Sequence, residues 1–463
     1  MNNLLKGQKL IYLSVAIFAL LLVFGVFICQ FGVSDNGELT NRLIHLGLYD
    51  CQAASGTGGF ATKFGVSGNI SGLTTADIPY AIAKLFHPVD STVSVLIPAF
   101  IYCIFILLGF YLAIKNLFSK FNWNNMLLVT LSVFILGDTA YTSFLNTPYI
   151  NAAQFAYLIF VIGSFIWATK TNKPIAIITA GISAVLFSGT SAITAWIGIL
   201  LAIYFVMLLI DNKEILNKTF CVICIVLTLA SSVYALASSP VDENKIYDSI
   251  FYGVALEDAS EAVALGVDEE TAKTLSGKAS FDEAAQSYLG TNDLTENYSS
   301  AKVAMHYLKN PTLFVKNMKS VAANSTTIST DYLGNYKYGS AKANEQTGFF
   351  KLYSTFKRRL VPANFLISII ILLAVAVVSV YYRKKYASDH ISKRICDLSV
   401  LCALAALLAF VLPLIYGGLV QIGFNMFLYN ILFDLCLISA CVGGTKLLWI
   451  RREALKEKYG VNQ

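Results

Sequence analysis

LIYLSVAIFALLLVFGVFICQFGV, residues 10–33, carries no charged side chain. A bilayer core about 30 Å thick is crossed by about 20 apolar residues in helix. The stretch therefore reads as a membrane span. It is too long for a signal peptide, and no small-residue cleavage site follows it. Directly behind it, VSDNGELTNRLIHLGLYD (33–50) brings Asp35, Asn36, Glu38 and Arg42 within eight positions. A polar cluster is thus set at the mouth of a span.

Composition agrees with the span. The 463 residues are 56% hydrophobic and 13% charged, with mean hydropathy +0.63. That charged share is about half of what soluble domains carry. The net charge of +6 does not imply a nucleic-acid partner, because membrane proteins gather Lys and Arg in cytoplasmic loops. Eight of the nine cysteines lie in apolar segments and only Cys51 in a polar one, so no disulfide framework is visible. Cys221 and Cys224 have CxxC spacing inside an apolar run, where they read as lipid-facing filler. His45, His87, His306 and His390 form no metal-ligand spacing. No cofactor is expected, although a divalent ion held by Asp and Glu alone stays open. No phosphate-cradling loop or nucleotide fingerprint occurs.

Ten segments qualify as spans: 10–33, 93–114, 126–144, 152–168, 174–188, 193–210, 219–237, 363–382, 396–416 and 425–447. The expected fold is an all-α polytopic membrane protein. With both termini cytoplasmic, the short inner loops hold Lys115 and Lys120, Lys170 and Lys173, Lys213 and Lys218, and Arg383-Lys384-Lys385. The outer turns 145–151, 189–192 and 417–424 hold no Lys or Arg, which is the positive-inside pattern. Two long polar segments then face outward. Loop 34–92 is Gly- and Ser-rich at 55–72 and predicts an amphipathic helix at 75–87. Segment 238–362 predicts a mainly helical extracytoplasmic domain, with a helix over 299–323. The organisation is an N-terminal bundle (1–237), that domain (238–362), and C-terminal helices with a cytoplasmic tail (363–463).

Three constellations carry chemistry. Asp35 and Glu38 have N-cap and N3 spacing, which explains them as a helix cap. Asp35 also suits a general base at the lipid–water boundary, taking a proton from an attacking hydroxyl. The two readings are compatible. Asp138 lies in an otherwise apolar run, where a carboxylate is either functional or pairs with a neighbouring helix. Tyr141, Asn146, Tyr149 and Asn151 follow at the same level, although interfacial Tyr also serves as an anchor. Lys357, Arg358 and Arg359 precede the eighth span on its outer side, against the positive-inside bias. They read either as snorkelling side chains or as a clamp for a lipid phosphate, for which Arg has the matching fork.

The stretches SDNGELTNRLIHLGL (34–48), NKIYDSIFYGVALEDASEAVALGVDEETAKTLSG (244–277), HYLKNPTLF (306–314) and YLGNY (332–336) together resemble the multi-span hexosyltransferases of Gram-positive surface-glycan loci, a branch similar to the GT-C glycosyltransferases. The resemblance covers most of the chain. It implies a GT-C architecture, a polyprenyl-phosphate-linked sugar donor in the outer leaflet, and a glycan or cell-wall polymer as acceptor. It implies Asp35 as base and Arg358 and Arg359, with Lys357, as phosphate ligands. Tyr332, Gly334, Asn335 and Tyr336 would support the acceptor side. Apart from the resemblance, the polar residues Asn36, Glu38, Arg42, Asp138, Tyr141, Asn146, Tyr149 and Asn151 are expected to bind substrate. Where that family carries an acidic residue after Asn-x-x-Tyr, this chain has Asn151. The rival reading is a flippase or transporter of lipid-linked glycans, but transporters often show paired repeats and helices broken at mid-bilayer. Here the polar groups gather at one end.

Overall fold

The protein is described from a computed structural model over residues 2–51, 59–118, 123–238, 243–330, 332–340, 344–386 and 389–441. Residues 52–58 of the Gly/Ser-rich stretch, 442–447 of the tenth segment and the C-terminal tail lie outside them. The chain is mainly helical, and each of the ten expected segments falls on a helix. Among the described residues, seven of these are long and apolar enough to cross a membrane: Gly7–Ile28, Leu96–Leu117, Ile150–Thr171, Ala192–Asp211, Ile215–Ser238, Phe365–Lys385 and His390–Gly417. Pro174–Ser188 and Phe427–Cys441 are apolar but shorter.

The third expected span is not one rod. Asn125–Leu136 and Thr139–Asn146 meet at 47°. The break falls at Gly137-Asp138, where Asp138 accepts from Ala140 N (2.8 Å) and caps the second half. A side-chain oxygen at that position takes one of the helix's orphan N–H groups. The same carboxylate that looks out of place in an apolar run is therefore what starts the next helix.

Ile150–Thr171 is the bundle's central helix, with 89% of its apolar window buried. It packs on Leu96–Leu117 at a glycine pair: a Cβ on Gly163 would stand 2.0 Å from Gly109 O. Small residues let helix backbones approach where lipid supplies no hydrophobic drive.

The polar segments cover one end of the bundle. Loop 34–92 holds the helix Leu39–Leu46, the helical turns Thr75–Asp77 and Ile78–Lys84, and a feature the sequence did not suggest. Strands β1 (Leu48–Asp50), β2 (Lys63–Val66) and β3 (Thr92–Ser94) form an antiparallel sheet in the order β1-β2-β3, with Leu48 opposite Val66 and Phe64 opposite Val93. The second segment is a set of short helices beginning with Glu243–Ser249 and a π-turn, Ile250–Val254. The helix expected over 299–323 is two, Ser300–Lys309 and Pro311–Ala323. Pro311 has no N–H and its ring would clash with an ongoing helix, so it opens the second one.

Candidate functional site

The first span ends in a π-turn, Val23–Ile28, and Gln30 reverses the chain at φ 52°. A π-turn disturbs the regular ladder and leaves carbonyls to be satisfied from elsewhere. Asn146 does this, donating through Nδ2 to Val26 O and Phe31 O, both at 2.9 Å. From the other side, residues 32–34 pair with 334–335. Gly32 N donates to Asn335 O (3.0 Å), Ser34 N to Gly334 O (3.0 Å), and Asn335 Nδ2 to Gly32 O (2.9 Å). Asn146 and Asn335, expected as substrate ligands, are buried and direct their amides to this backbone. They fix the floor under the loop.

On that floor stands Asp35, exposed. Its Oδ1 accepts from Gly37 N (2.7 Å) and Leu39 N (3.2 Å); Asp35 stands three residues ahead of the N-cap position the capping reading gave it, and anchors the turn that leads into the helix. The capping box is not formed. The helix begins at Leu39, so Glu38 occupies the N-cap position rather than N3 and makes no side-chain cap bond. Asn36, next to Asp35, is buried and fully engaged. Its Oδ1 accepts from Glu38 N (3.0 Å) and Tyr149 Oη (2.9 Å), and its Nδ2 donates to Gln421 Oε1 (2.6 Å). Tyr149 Oη accepts Asn36 N at 3.0 Å, and Gln421 Nε2 donates to Asn36 O. Burial, with the Asp35 carboxylate beside it, pushes the Tyr149 phenol well above its ordinary range. It is a neutral hydrogen-bonding group there.

Arg42 faces away from this mouth. It pairs with Asp77 (Nη2–Oδ1 2.5 Å) and donates to Pro148 O (3.0 Å). Asp77 is fully buried and also takes His45 Nε2 (3.1 Å) and the Thr74 N and Oγ1 donors (2.7 Å each). Burial raises its carboxyl, but Arg42, His45 and Thr74 outweigh that and hold it well below the usual carboxylate range. Arg42 thus ties loop 34–92 to the 145–149 turn, a structural use in place of the expected substrate contact. Asp77 escaped the sequence reading. Thr74-Thr75-Ala76-Asp77 before Ile78-Pro79 is the capping-box signature, and that box is formed.

A second cluster lies apart from the mouth. Lys357 is 1% exposed and ion-paired with Asp434 (Nζ–Oδ1 2.7 Å), while Tyr141 Oη donates to Asp434 Oδ2 (2.5 Å). Asp138 receives Ser354 N (2.8 Å) and Ser354 Oγ (3.0 Å). Lys357 and Ser354 belong to the helix Leu352–Leu360, so both carboxylates hold one helix against the bundle. This corrects three expectations. Lys357 does not join Arg358 and Arg359 on one face, and Asp138 and Tyr141 are engaged in docking that helix. Arg358 and Arg359 lie on its exposed side, which also carries Leu352, Phe356 and Leu360. Asp434 was missed, although the rule that singled out Asp138, a carboxylate inside an apolar segment, applies to it equally.

Of the remaining residues, Asn151 is buried in the first turn of Ile150–Thr171. Tyr332 is half exposed, and Tyr336 meets Phe31 edge-on at 5.8 Å. The structure therefore gathers Asp35, Asn36, Glu38, Tyr149 and residues 332–336 at one mouth, and Asp138, Tyr141 and Lys357 at another place. Beside the mouth, a cleft of about 240 Å³ opens between Gly37–Asn41, the helix Glu243–Ser249, residues 280–286 and Gln421. Among the described residues, no group of three His, Cys, Asp or Glu side chains is placed to hold a metal ion.

Residues 2–461 match the model of the YfdI N-terminal transmembrane domain family. The match spans almost the whole chain, and the chain belongs to that family, one of membrane proteins related to glycosyltransferase-like proteins. No curated protein matches it.

Proposed function

Starting from that membership, we propose that the chain is a membrane glycosyltransferase. It moves a sugar, most simply a hexose, from a polyprenyl-phosphate-linked donor to a cell-surface glycan or cell-wall polymer on the outer face of the membrane. The observation that carries the reading is the state of Asp35. Its Oδ1 is held by two backbone N–H groups, and among the described residues Oδ2 has no hydrogen-bond partner. An anchored, exposed carboxylate at the end of a span can meet a water-borne hydroxyl and a membrane-borne donor together.

In the proposed step, Asp35 takes the proton of the acceptor hydroxyl, whose oxygen bonds to the sugar's anomeric carbon. The bond from that carbon to the phosphate oxygen breaks, and its electron pair leaves with the polyprenyl phosphate. The donor is already activated by its leaving group, so holding the partners in line and supplying one base are the main tasks. Arg358 and Arg359, on the exposed side of Leu352–Leu360, are the proposed phosphate ligands, and the reading requires the donor headgroup to reach from that helix to the mouth at Asp35. The apolar side chains beside them suit a helix lying along the lipid surface.

The reading requires the mouth to be extracytoplasmic and both termini cytoplasmic. Reporter fusions at Lys213 and Lys384 should read inside, and fusions at Gly290 and Gly418 outside. An inside signal at Gly290 would put the mouth in the wrong compartment. The direct test is sugar transfer from synthetic polyprenyl-phosphate hexoses to cell-wall glycan by the purified protein. Donor translocation across vesicles with no transfer would favour a transporter instead.

A further inference from the structure

We propose that the cleft beside Asp35 is a binding site for a neutral sugar ring, the acceptor terminus of the transfer reaction; the assignment to an acceptor rests on that reaction. The cleft is contiguous with the mouth. Gly37, whose N–H is held by Asp35 Oδ1 at 2.7 Å, lines it, and so does Gln421, which is paired with Asn36. Its volume of about 240 Å³ is below the range of about 300–1,000 Å³ typical of drug-sized ligands. One ring fits that space better than a chain.

The lining decides the chemistry. Glu38 and Asp248 contribute carboxylates and Lys245 one ammonium group. The wall is therefore net negative and disfavours a phosphate. Asn41, Asn244, Gln286 and Gln421 bring amides to the wall, groups that both donate and accept as hydroxyls do; Gln421 is held on Asn36 through both amide atoms and Gln286 Nε2 donates to Ser280 O, so the exposed Asn41 amide and the Gln286 carbonyl are the polar groups turned to a ring. Phe281, 59% exposed, stands at the same cleft and offers an apolar face to the C–H side of a ring. Amides plus one open aromatic fit a polyhydroxylated neutral ligand.

The wall is also built to hold its shape. Gly418 sits at φ 61°, and a Cβ there would stand 2.3 Å from Asp248 O, so this turn can close on the helix Glu243–Ser249 only with glycine. Gln421 follows in the left-handed region at φ 49°. For a non-glycine residue that conformation costs of the order of 1–3 kcal/mol and is kept where surrounding structure demands it. It places the Gln421 amide between Asn36 and the cleft.

The test uses the full-length protein in detergent with methyl α-D-glucopyranoside, methyl β-D-galactopyranoside and methyl N-acetyl-β-D-glucosaminide as probes. Saturation-transfer NMR should show at least one of them bound. The signal should vanish in a triple variant, Asn41→Ala with Phe281→Ala and Gln286→Ala, all exposed positions. Acceptor KM should rise roughly tenfold in the triple variant while kcat and donor affinity hold, as expected when only ground-state binding is lost. No signal from any glycoside, a signal that survives the triple variant, or displacement of the glycoside by undecaprenyl phosphate would overturn the proposal. Glycoside binding without any sugar transfer would sink the reaction and leave the binding site standing. Transfer with an unchanged acceptor KM in the triple variant would do the reverse.

Discussion

Asp35 and Asp434 are both carboxylates in or beside apolar segments, and their surroundings are opposite. Asp35 is exposed, takes two backbone N–H groups on one oxygen and, among the described residues, leaves the other uncommitted. Asp434 is fully buried and has both oxygens engaged, one by Lys357 and one by Tyr141. The first arrangement holds a group in place and keeps it reachable. The second joins Phe427–Cys441 to the helix Leu352–Leu360, with Asp138 gripping that helix at Ser354. A carboxylate in a membrane protein invites a functional reading either way. What separates chemistry from architecture is whether any lone pairs remain for a substrate.

The contrast breaks if Asp434 tolerates what its role forbids. Asp434→Asn leaves the Lys357 charge buried without its counter-ion, which costs about 3–5 kcal/mol. The variant should show a large fall in thermal stability in detergent. On a Tyr141→Phe background, which removes the hydroxyl that Asp434 also accepts, replacing both partners, Lys357→Met with Asp434→Leu, should recover much of that loss, since a buried ion pair exchanged for packed apolar groups is often neutral. A combined variant as unstable as the single one would mean that the pair does more than dock a helix.

A smaller effect sharpens the division within the helix Leu352–Leu360 itself. Arg358→Gln with Arg359→Gln should weaken donor binding by at least about tenfold to a hundredfold, the effect of losing one charge-assisted contact of about 1.5–3 kcal/mol. Unfolding temperature should barely move, since both side chains are exposed. Lys at both positions should rescue only in part, lacking the bidentate fork. Unchanged affinity for a polyprenyl phosphate in titration would reduce the two arginines to surface anchors.

The smallest expected effect concerns Asp77, whose carboxyl is held below its ordinary range despite burial because Arg42, His45 and Thr74 outweigh desolvation. A carboxylate with a depressed folded pKa adds stability that is fully present above the unfolded value of about 3.9 and is lost as pH falls toward the folded one. Unfolding temperature should therefore be insensitive to this group at pH 5–7 and decline below about pH 4. In Asp77→Asn that acid-side decline should flatten, on top of a lower stability at all pH values. An identical acid profile in the variant would show that another group governs the loop.

The sequence disclosed the parts of this molecule that depend on composition along the chain. Apolar runs located helical segments at each of the ten expected places among the described residues, seven of them long enough to span and the third broken at Gly137-Asp138, and the Asn146-Thr147-Pro148-Tyr149 break separates two of them. That Asp35 would hold nearby backbone N–H groups was legible because Gly37 and Leu39 are two and four residues away, but its place was not: the helix starts later, with Glu38 at the N-cap. The three strands of loop 34–92 were not legible. They are three or four residues long, too short for an alternating pattern to stand out. Roles fixed by distant partners were also hidden. Asn146 looks like a ligand until the π-turn 120 residues earlier supplies the carbonyls it must meet. Lys357 reads as one of three basic residues until Asp434, 77 positions later, turns it inward. Gly137-Asp138 and the Thr74–Asp77 box were readable by the capping rules, whereas their pairing with Ser354 and Arg42 required the fold.

The central claim is that Asp35 supplies basicity at the mouth and not only a cap. Asp35→Asn isolates it, because an Asn side-chain oxygen can still accept from Gly37 N and Leu39 N but the amide cannot take the proton. The measurement is single-turnover sugar transfer by this variant, with donor binding and unfolding temperature read on the same preparation and Glu270→Gln, an exposed change outside the mouth and the cleft, as control. The account predicts transfer slower by about 10²–10⁴, with donor affinity and fold retained and the control near normal. Transfer by Asp35→Asn at close to the unmodified rate would contradict it.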